Sequence, residues 1–474
     1  MKSKTFHLVS LGCAKNTVDS ESMGQLLVKS GYRFEGNQAR AEILIVNTCG
    51  FIGPAKAESL QVLGELAASK KDGQILIAAG CLTQRYGAEV VQQVPGIDGI
   101  LGTRRWMDIV DVVKKLRVRK HPEPLYHLPE SPSVGIDERG TLRAAIQGAS
   151  AYIKIADGCR RPCAFCAIPL IKGGAVSRPR EAILDEARHL QSLGVRELIL
   201  IAQDTTDYGH DVGERDGLAQ LLDEMVVVLE NSPNAEDSEG GVEWIRIMYA
   251  FPGYVTDRLI DVMATHSQVI PYLDIPLQHG HPKVLQRMIR PANVDWVYRI
   301  LEKMRMDMPD LAIRTTFIVG YPGETEQEFQ SLLDFVEEVR FDRVGAFEFS
   351  FEPGTTSESL GDPISPEIKR ERWEMLMALQ QSISLEKNQA WVGKRLDVLV
   401  EGVGDGISLA RSYRDAPEID GLVLVEGETS VGSFIPVNIT GAMAYDLSGE
   451  VAHGHPNVVL EVGENFRKKK RAHD

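Results

Sequence analysis

The chain has 474 residues, 43% of them hydrophobic, and a net charge of −15. That length suits two to four domains with a large buried core. No apolar run reaches the about 18–20 residues that span a bilayer, and the acidic balance argues against a general nucleic-acid binder, whose surface would be basic. The N-terminal stretch MKSKTFHLVSLGC pairs a basic start with a short apolar run. The run is shorter than a signal's usual about 7–15 residues and contains His7, so it does not read as an export signal. A cytoplasmic, reducing setting is expected, where cysteines serve metal or catalysis more often than disulfides.

Residues 1–120 alternate strand and helix. FHLVSLG (6–12), EILIVNT (42–48) and QILIAAG (74–80) are short β-type runs, and PAKAESLQVLGELAASK (54–70) reads as a helix with Pro54 in its first turn. This predicts a parallel α/β domain with crossover helices. Residues 121–149 open with HPEPLYHLPESP, which reads as a proline-rich linker. Residues 150–385 alternate again. YIKIA (152–156), LILIA (198–202), WIRIMYA (244–250), YLDI (272–275), IRTTFIV (313–319) and VGAFEFS (344–350) predict six βα units, an incomplete barrel. ENSPNAEDSEGG (230–241) reads as an exposed acidic loop. Residues 386–474 change to short β-type runs between glycine turns and predict a small antiparallel β-barrel.

Cys159, Cys163 and Cys166 follow YIKIA in DGCRRPCAFC. Three thiolates can hold three irons of a four-iron cluster, and the open iron then takes an outside ligand, whereas ordinary electron-transfer clusters use four cysteines. A zinc site with a distant fourth ligand and a buried apolar cysteine group are the alternatives. Cys13, Cys49 and Cys81 share no local motif, but each ends a predicted strand: LVSLGC, LIVNTC and LIAAGC. In a parallel sheet such ends lie along one edge, where ligands bind. Their convergence suggests a second cluster, again with three ligands and one open iron.

The C-x3-C-x2-C spacing, with Phe165 before the last cysteine, resembles the radical S-adenosylmethionine (SAM) superfamily. The resemblance implies that SAM chelates the open iron and is cleaved to a 5′-deoxyadenosyl radical. It makes Phe165, Gln203 and Asp204 (AQDTTDYG), Gln278 (DIPLQHG), Gly320 and Gly323 (FIVGYPGETE) candidate cofactor contacts, with His279 facing the ribose or the substrate. Turn and cap roles remain open for them, most of all for Gly320, Pro322 and Gly323.

LGCAKNTVDSE, the spacing from Cys13 to Cys49 and Cys81, the radical SAM motif and a terminal β-domain together resemble the methylthiotransferases over nearly the whole chain. GCRRPCAFCAIPLIKG, AQDTTDYG and ARSYRDAPEIDG (410–421) are similar to the RimO-like branch, which modifies the β-carbon of an aspartate in small-subunit ribosomal protein S-twelve. The alternative is the MiaB-like branch, which modifies isopentenylated adenosine in tRNA. The resemblance implies two 4Fe–4S clusters, one SAM as methyl donor and another as radical source, a sulfur source, and an electron donor such as flavodoxin. It implies a TRAM domain that binds substrate, with Arg411, Tyr413, Arg414, Asp415 and Asp420 as candidate contacts. Residues 391–466 carry 4 Lys and Arg against 12 Asp and Glu, a balance of −8. Phosphates would be repelled by it and a basic ribosomal-protein loop attracted. The RKKKR at 467–471 could touch ribosomal RNA if the assembled subunit is the substrate, or be a solvated tail. Two other classes, an idle iron–sulfur scaffold and a regulatory RNA-binding protein, fit less well: the first leaves two intact cysteine triads unused, and the second conflicts with the −8 balance.

Overall fold

The computed structural model describes residues 4–118, 123–130, 141–231 and 241–452. The chain divides into two compact units: 1–339 with 344–377, and 340–343 with 378–474.

The first unit opens with a sheet of β1 (Thr5–Ser10), β2 (Arg33–Phe34), β3 (Ile43–Thr48), β4 (Ile75–Gly80), β5 (Gly99–Gly102) and β6 (Leu125–His127), in the order β2-β1-β3-β4-β5-β6 with every pairing parallel. Helices α1 (Ala14–Lys29), α2 (Gly53–Ser69), α3 (Cys81–Gln93) and α4 (Ile109–Val118) connect the strands. The run Ile43–Val46 alternates between two cores. Ile43 and Ile45 pack with Met23 and Leu27 of α1 and Val113 of α4. Leu44 and Val46 pack with Leu63 of α2 and Leu82 and Val90 of α3. Burial on both faces is why the strand sequence is continuously apolar. β6 falls inside the segment that reads as a linker, so part of that segment extends the sheet.

A second sheet contains β7 (Ala144–Gln147), β8 (Ser150–Lys154), β11 (Glu197–Ile201), β12 (Trp244–Ile247), β13 (Val269–Asp274), β14 (Ala312–Val319) and β15 (Arg343–Glu348), in the order β15-β14-β13-β12-β11-β8-β7. The pairings from β8 through β14 are parallel, and β7, also from the expected linker, pairs antiparallel with β8. Between β8 and β11, β9 (Ala156–Asp157) pairs with β10 (Val176–Ser177). Helices α5 (Ile168–Lys172), α6 (Arg180–Ser192), α7 (Gly217–Glu230), α8 (Asp257–Thr265), α9 (Pro282–Arg287), α10 (Val294–Asp307) and α11 (Glu326–Val339) alternate with the strands. This is the open, incomplete α/β barrel that the strand pattern predicts. Most of the acidic loop at 230–241 lies outside the described residues.

α12 (Pro366–Gln389) runs in sequence from the first unit into the second. The second unit holds a closed five-stranded barrel of β16 (Arg395–Gly404), β17 (Ile407–Ser412), β18 (Val423–Glu426), β19 (Phe434–Ala442) and β20 (Leu447–Val451). Four pairings are antiparallel, and β18 pairs with β20 in parallel. Val398, Val400, Val423, Val425, Ile435 and Val437 fill it by strict alternation. The basic tail at 467–471 lies outside the described residues. Among the described residues no helix is long and apolar enough to cross a membrane.

Candidate functional site

Strands β1, β3 and β4 are neighbours with Ser10 opposite Asn47 and Thr48 opposite Gly80, so their C-terminal ends lie side by side. Cys13 is the N-cap of α1, Cys49 directly follows β3, and Cys81 opens α3. Close approach of these turns depends on glycine. Gly12 has φ +92°, and a Cβ there would lie 2.7 Å from Cβ of Cys49. Gly80 has φ +105°, and a Cβ would lie 2.4 Å from Oδ1 of Asn47 and 2.5 Å from the Thr48 carbonyl. Asn16 ties the turns together: its Nδ2 donates to the carbonyls of Leu11 (2.9 Å) and Thr48 (3.0 Å), and its Oδ1 accepts from the Cys81 thiol at 3.6 Å. Sequence reasoning missed Asn16, although it lies inside the LGCAKN stretch.

The other triad lies on the loop between β9 and α5. The Cys159 amide donates to the Gly173 carbonyl, the Arg161 amide to Sγ of Cys159 at 3.4 Å, and Nη1 of Arg290 to Sγ of Cys163 at 3.5 Å. Both triads line one cavity of about 400 Å³ in the first unit. All six cysteines are free thiols. Among the described residues no three His, Cys, Asp or Glu side chains converge on a single ion. Ligands of one zinc must each reach it at about 2.3 Å, whereas thiolates on separate irons of a cluster stand farther apart. Burial pushes the thiols of Cys81 and Cys166 up to about 12 and that of Cys159 up to about 11, and raises Cys49. Such thiols give up their protons to a metal, so loading the site releases protons. The donor set, two triads of cysteine thiols lining one cavity, fits two three-ligand iron–sulfur clusters, each with an iron left open.

Five buried charges tie the two triads' supports together. Asp19 on α1 meets Nζ of Lys154 at 2.5 Å, Nζ of Lys172 at 3.0 Å and Nη2 of Arg143 at 3.1 Å. Asp157 meets the same three cations at 3.0 to 3.3 Å. Burial alone would raise both carboxyls, but Lys154, Lys172 and Arg143 outweigh it and hold them below the ordinary carboxylate range. Burial opposes the Lys172 charge too, yet Asp157 and Asp19 raise that ammonium. Lys172 lines the cavity, as does the half-buried Lys15. Burial lowers the Lys15 ammonium, against the pull of Cys13 and Asp274. Neither lysine stood out in the sequence beyond its nearness to a cysteine.

Of the expected SAM contacts, Phe165, Gln203 and Gln278 line the cavity. The Oε1 atoms of Gln203 and Gln278 are buried and accept no hydrogen bond from the protein. Asp204 is placed differently. Its carboxylate takes Nε of Arg161 at 2.6 Å and the Thr206 hydroxyl at 2.6 Å, and burial, against Arg161, raises it. It positions Arg161 and does not line the cavity. His279 is buried and engaged at both nitrogens, by Glu324 and the His281 amide. Gly320 and Gly323 adopt positive φ in the turn after β14, away from the cavity lining.

The expected substrate loop in the second unit is mostly interior. Arg411, Arg414 and Asp415 are 1%, 2% and 1% exposed. Arg411 pairs with Glu401, Arg414 with Asn388 and Asp342, and Asp415 with Arg343 at 2.5 Å. Tyr413 packs edge-on against Trp391, and Asp420 caps the Ala416 amide. These side chains brace the unit, and its exposed charge comes from elsewhere. Within 391–452 the exposed carboxylates Asp397, Asp405, Glu418, Glu426, Glu428 and Glu450 outnumber the exposed cations, Lys394 and Arg395.

Models of the radical SAM superfamily, of the uncharacterized protein family UPF0004 and of the TRAM domain match residues 153–336, 5–102 and 392–452. Among solved structures, a radical S-adenosylmethionine methyltransferase, TsrM from Kitasatospora setae, is similar with a TM-score of 0.54 at 12% identity, covering 86% of this chain and 77% of that one. That likeness concerns the fold. Ribosomal protein uS12 methylthiotransferase RimO of Roseiflexus sp. (strain RS-1) is 46% identical over 467 residues, covering 94% of this chain and 97% of that one. RimO of Chloroflexus aurantiacus is 48% identical over 461 residues, covering 94% and 99%. With identity of that level over 94% of the chain, the chain belongs to the RimO family of ribosomal protein uS12 methylthiotransferases.

Proposed function

We propose that the chain inserts a methylthio group at the β-carbon of an aspartate in ribosomal protein uS12. The observation that carries this reading is the meeting of six cysteines, from two triads far apart in sequence, around one cavity. A β-carbon C–H bond has no useful acidity at neutral pH, so proton transfer by side chains would not activate it. When bound, the two 4Fe–4S clusters and SAM supply what the side chains lack, a hydrogen-abstracting radical and a methylated sulfur. The chain's own part is geometric and electrostatic. Cys159, Cys163 and Cys166 would hold one cluster and Cys13, Cys49 and Cys81 the other. The unpaired amide oxygens of Gln203 and Gln278 are acceptors for a donor group such as the SAM amine. Phe51, Phe251 and Phe347 make much of the wall apolar.

The excess of exposed carboxylates over exposed cations within 391–452 favours a basic protein over RNA as partner. A one-electron donor such as flavodoxin, a source of reduced sulfur and a reducing, cytoplasmic setting complete the reading. The test is an anaerobic competition. Reconstituted protein receives SAM, reductant and sulfide with either uS12 or isopentenylated tRNA, and mass spectrometry follows replacement of one hydrogen by a methylthio group. The expected product is modified aspartate. A modified adenosine, or no modified uS12, overturns the substrate assignment.

A further inference from the structure

Four cations line the cavity: Lys15, Arg161, Lys172 and Arg290. Three are committed to the protein. Lys172 pairs with Asp19 and Asp157, and Arg161 with Asp204 and Asp207. Arg290 donates to the Pro276 carbonyl and to Sγ of Cys163, with its guanidinium over the Phe251 ring. Lys15 is different. Its Nζ lies 3.1 Å from the centroid of the Tyr249 ring; Cys13, Asp274 and Asp157 act on its charge, but among the described residues no carboxylate is within ion-pair or hydrogen-bond distance of it.

The surroundings hold Lys15 in that place. It sits in the first turn of α1, whose N-terminal end at the cavity beside Cys13 disfavours an ammonium and favours an anion, so the contact that holds it is the Tyr249 ring. Tyr249 has φ +64°, a left-handed conformation costly for a non-glycine residue. Its amide is fixed by Oδ2 of Asp274 at 3.0 Å and its carbonyl by the Thr205 amide at 3.1 Å. A ring face supports an ammonium but leaves its N–H donors unfilled. A cation so placed on a largely apolar wall is stabilised by an incoming anion, and an incoming carboxylate needs such a partner to leave water.

We propose that Lys15 is the substrate-binding cation, pairing with the side-chain carboxylate of the aspartate that is modified. This rests on the uS12 reading above. The β-carbon is bonded directly to the carboxylate carbon, so anchoring the carboxylate also aims the β C–H bond within the cavity that both cysteine triads line.

The test uses uS12 carrying either aspartate or asparagine at the modified position. Binding of each to the reconstituted wild-type protein, Lys15→Met and Lys15→Arg is measured by anaerobic fluorescence anisotropy, with cluster absorption as the assembly control. The wild type is expected to prefer aspartate by about ten-fold or more, as for other close charge pairs. Lys15→Met should bring that ratio near one, and Lys15→Arg should keep most of it. The proposal is overturned if the wild type binds both forms alike, if Lys15→Met keeps the preference, or if it weakens both forms equally. Should Lys15→Met fail to assemble, Lys15→Gln takes its place, and a wild-type ratio near one overturns the proposal without either variant. Mass spectrometry of the wild-type reaction judges the substrate reading separately: modified uS12 with an unchanged ratio in Lys15→Met refutes the role of Lys15 alone, and unmodified uS12 refutes both.

Discussion

Replacing Asp19 by asparagine removes a carboxylate that meets three cations at 2.5 to 3.1 Å while only 1% exposed. Three buried cations then face one carboxylate, Asp157, where they had faced two. At an effective dielectric of about 20, each contact near 3 Å is worth about 5 kcal/mol gross. Desolvation of the carboxylate and its repulsion from Asp157 cancel most of the sum. Breaking a buried pair by removing one partner costs about 3–5 kcal/mol net, and that is the expected loss for Asp19→Asn. Adding Lys154→Met restores the original charge balance, so the double variant should be more stable than Asp19→Asn alone. Urea denaturation followed by circular dichroism and tryptophan fluorescence measures both; buried Trp106, 4.5 Å under the Arg143 guanidinium, is a local reporter. A loss below about 1 kcal/mol for Asp19→Asn, or a double variant no better than it, would refute the view that this cluster braces the supports of both triads.

Gly80→Ala should cost at least about 1–3 kcal/mol from its φ of +105° alone, and the clash with Asn47 and Thr48 should push Cys81 out of register. Lower thermal stability and reduced iron content after reconstitution are the readouts. Glu328 gives a pH dependence. Two hydrogen bonds from Arg287, at 2.8 and 3.0 Å, hold its carboxyl down to about 2 against an ordinary 4.5. The stability it contributes is complete above about pH 4.5 and is lost as pH falls through about 2. Arg287→Met should flatten that part of the acid limb in urea titrations of the metal-free protein, and an unchanged limb would contradict the assignment.

Much of the fold is legible in the sequence because the central strands of both sheets of the first unit are buried on both faces and read as nearly unbroken apolar runs, while the terminal barrel's strands alternate. The Cys13, Cys49 and Cys81 convergence follows from the same runs, since each cysteine ends one. β5, β6 and β7 are short, and β6 lies among prolines, so periodicity gives no signal there. The burial of the RSYRDAP stretch is not legible for a different reason. Charged residues in a glycine-rich β-domain read as surface, but the partners that bury Arg414 and Asp415, Asp342 and Arg343, lie 72 residues upstream. The bond between Asp204 and Arg161, 43 residues away, is equally invisible in the sequence. Pairings of that kind exist only in the folded chain.

The most direct test of the account is to count iron and product in two triad variants, Cys13→Ala/Cys49→Ala/Cys81→Ala and Cys159→Ala/Cys163→Ala/Cys166→Ala, beside the wild type. The account predicts about eight irons per reconstituted wild-type chain and about four in each variant. The first variant should still cleave SAM reductively yet form no methylthio-aspartate, and the second should do neither. Product from the first variant, or iron content unchanged in either, would contradict the claim that two triads hold two clusters at one cavity.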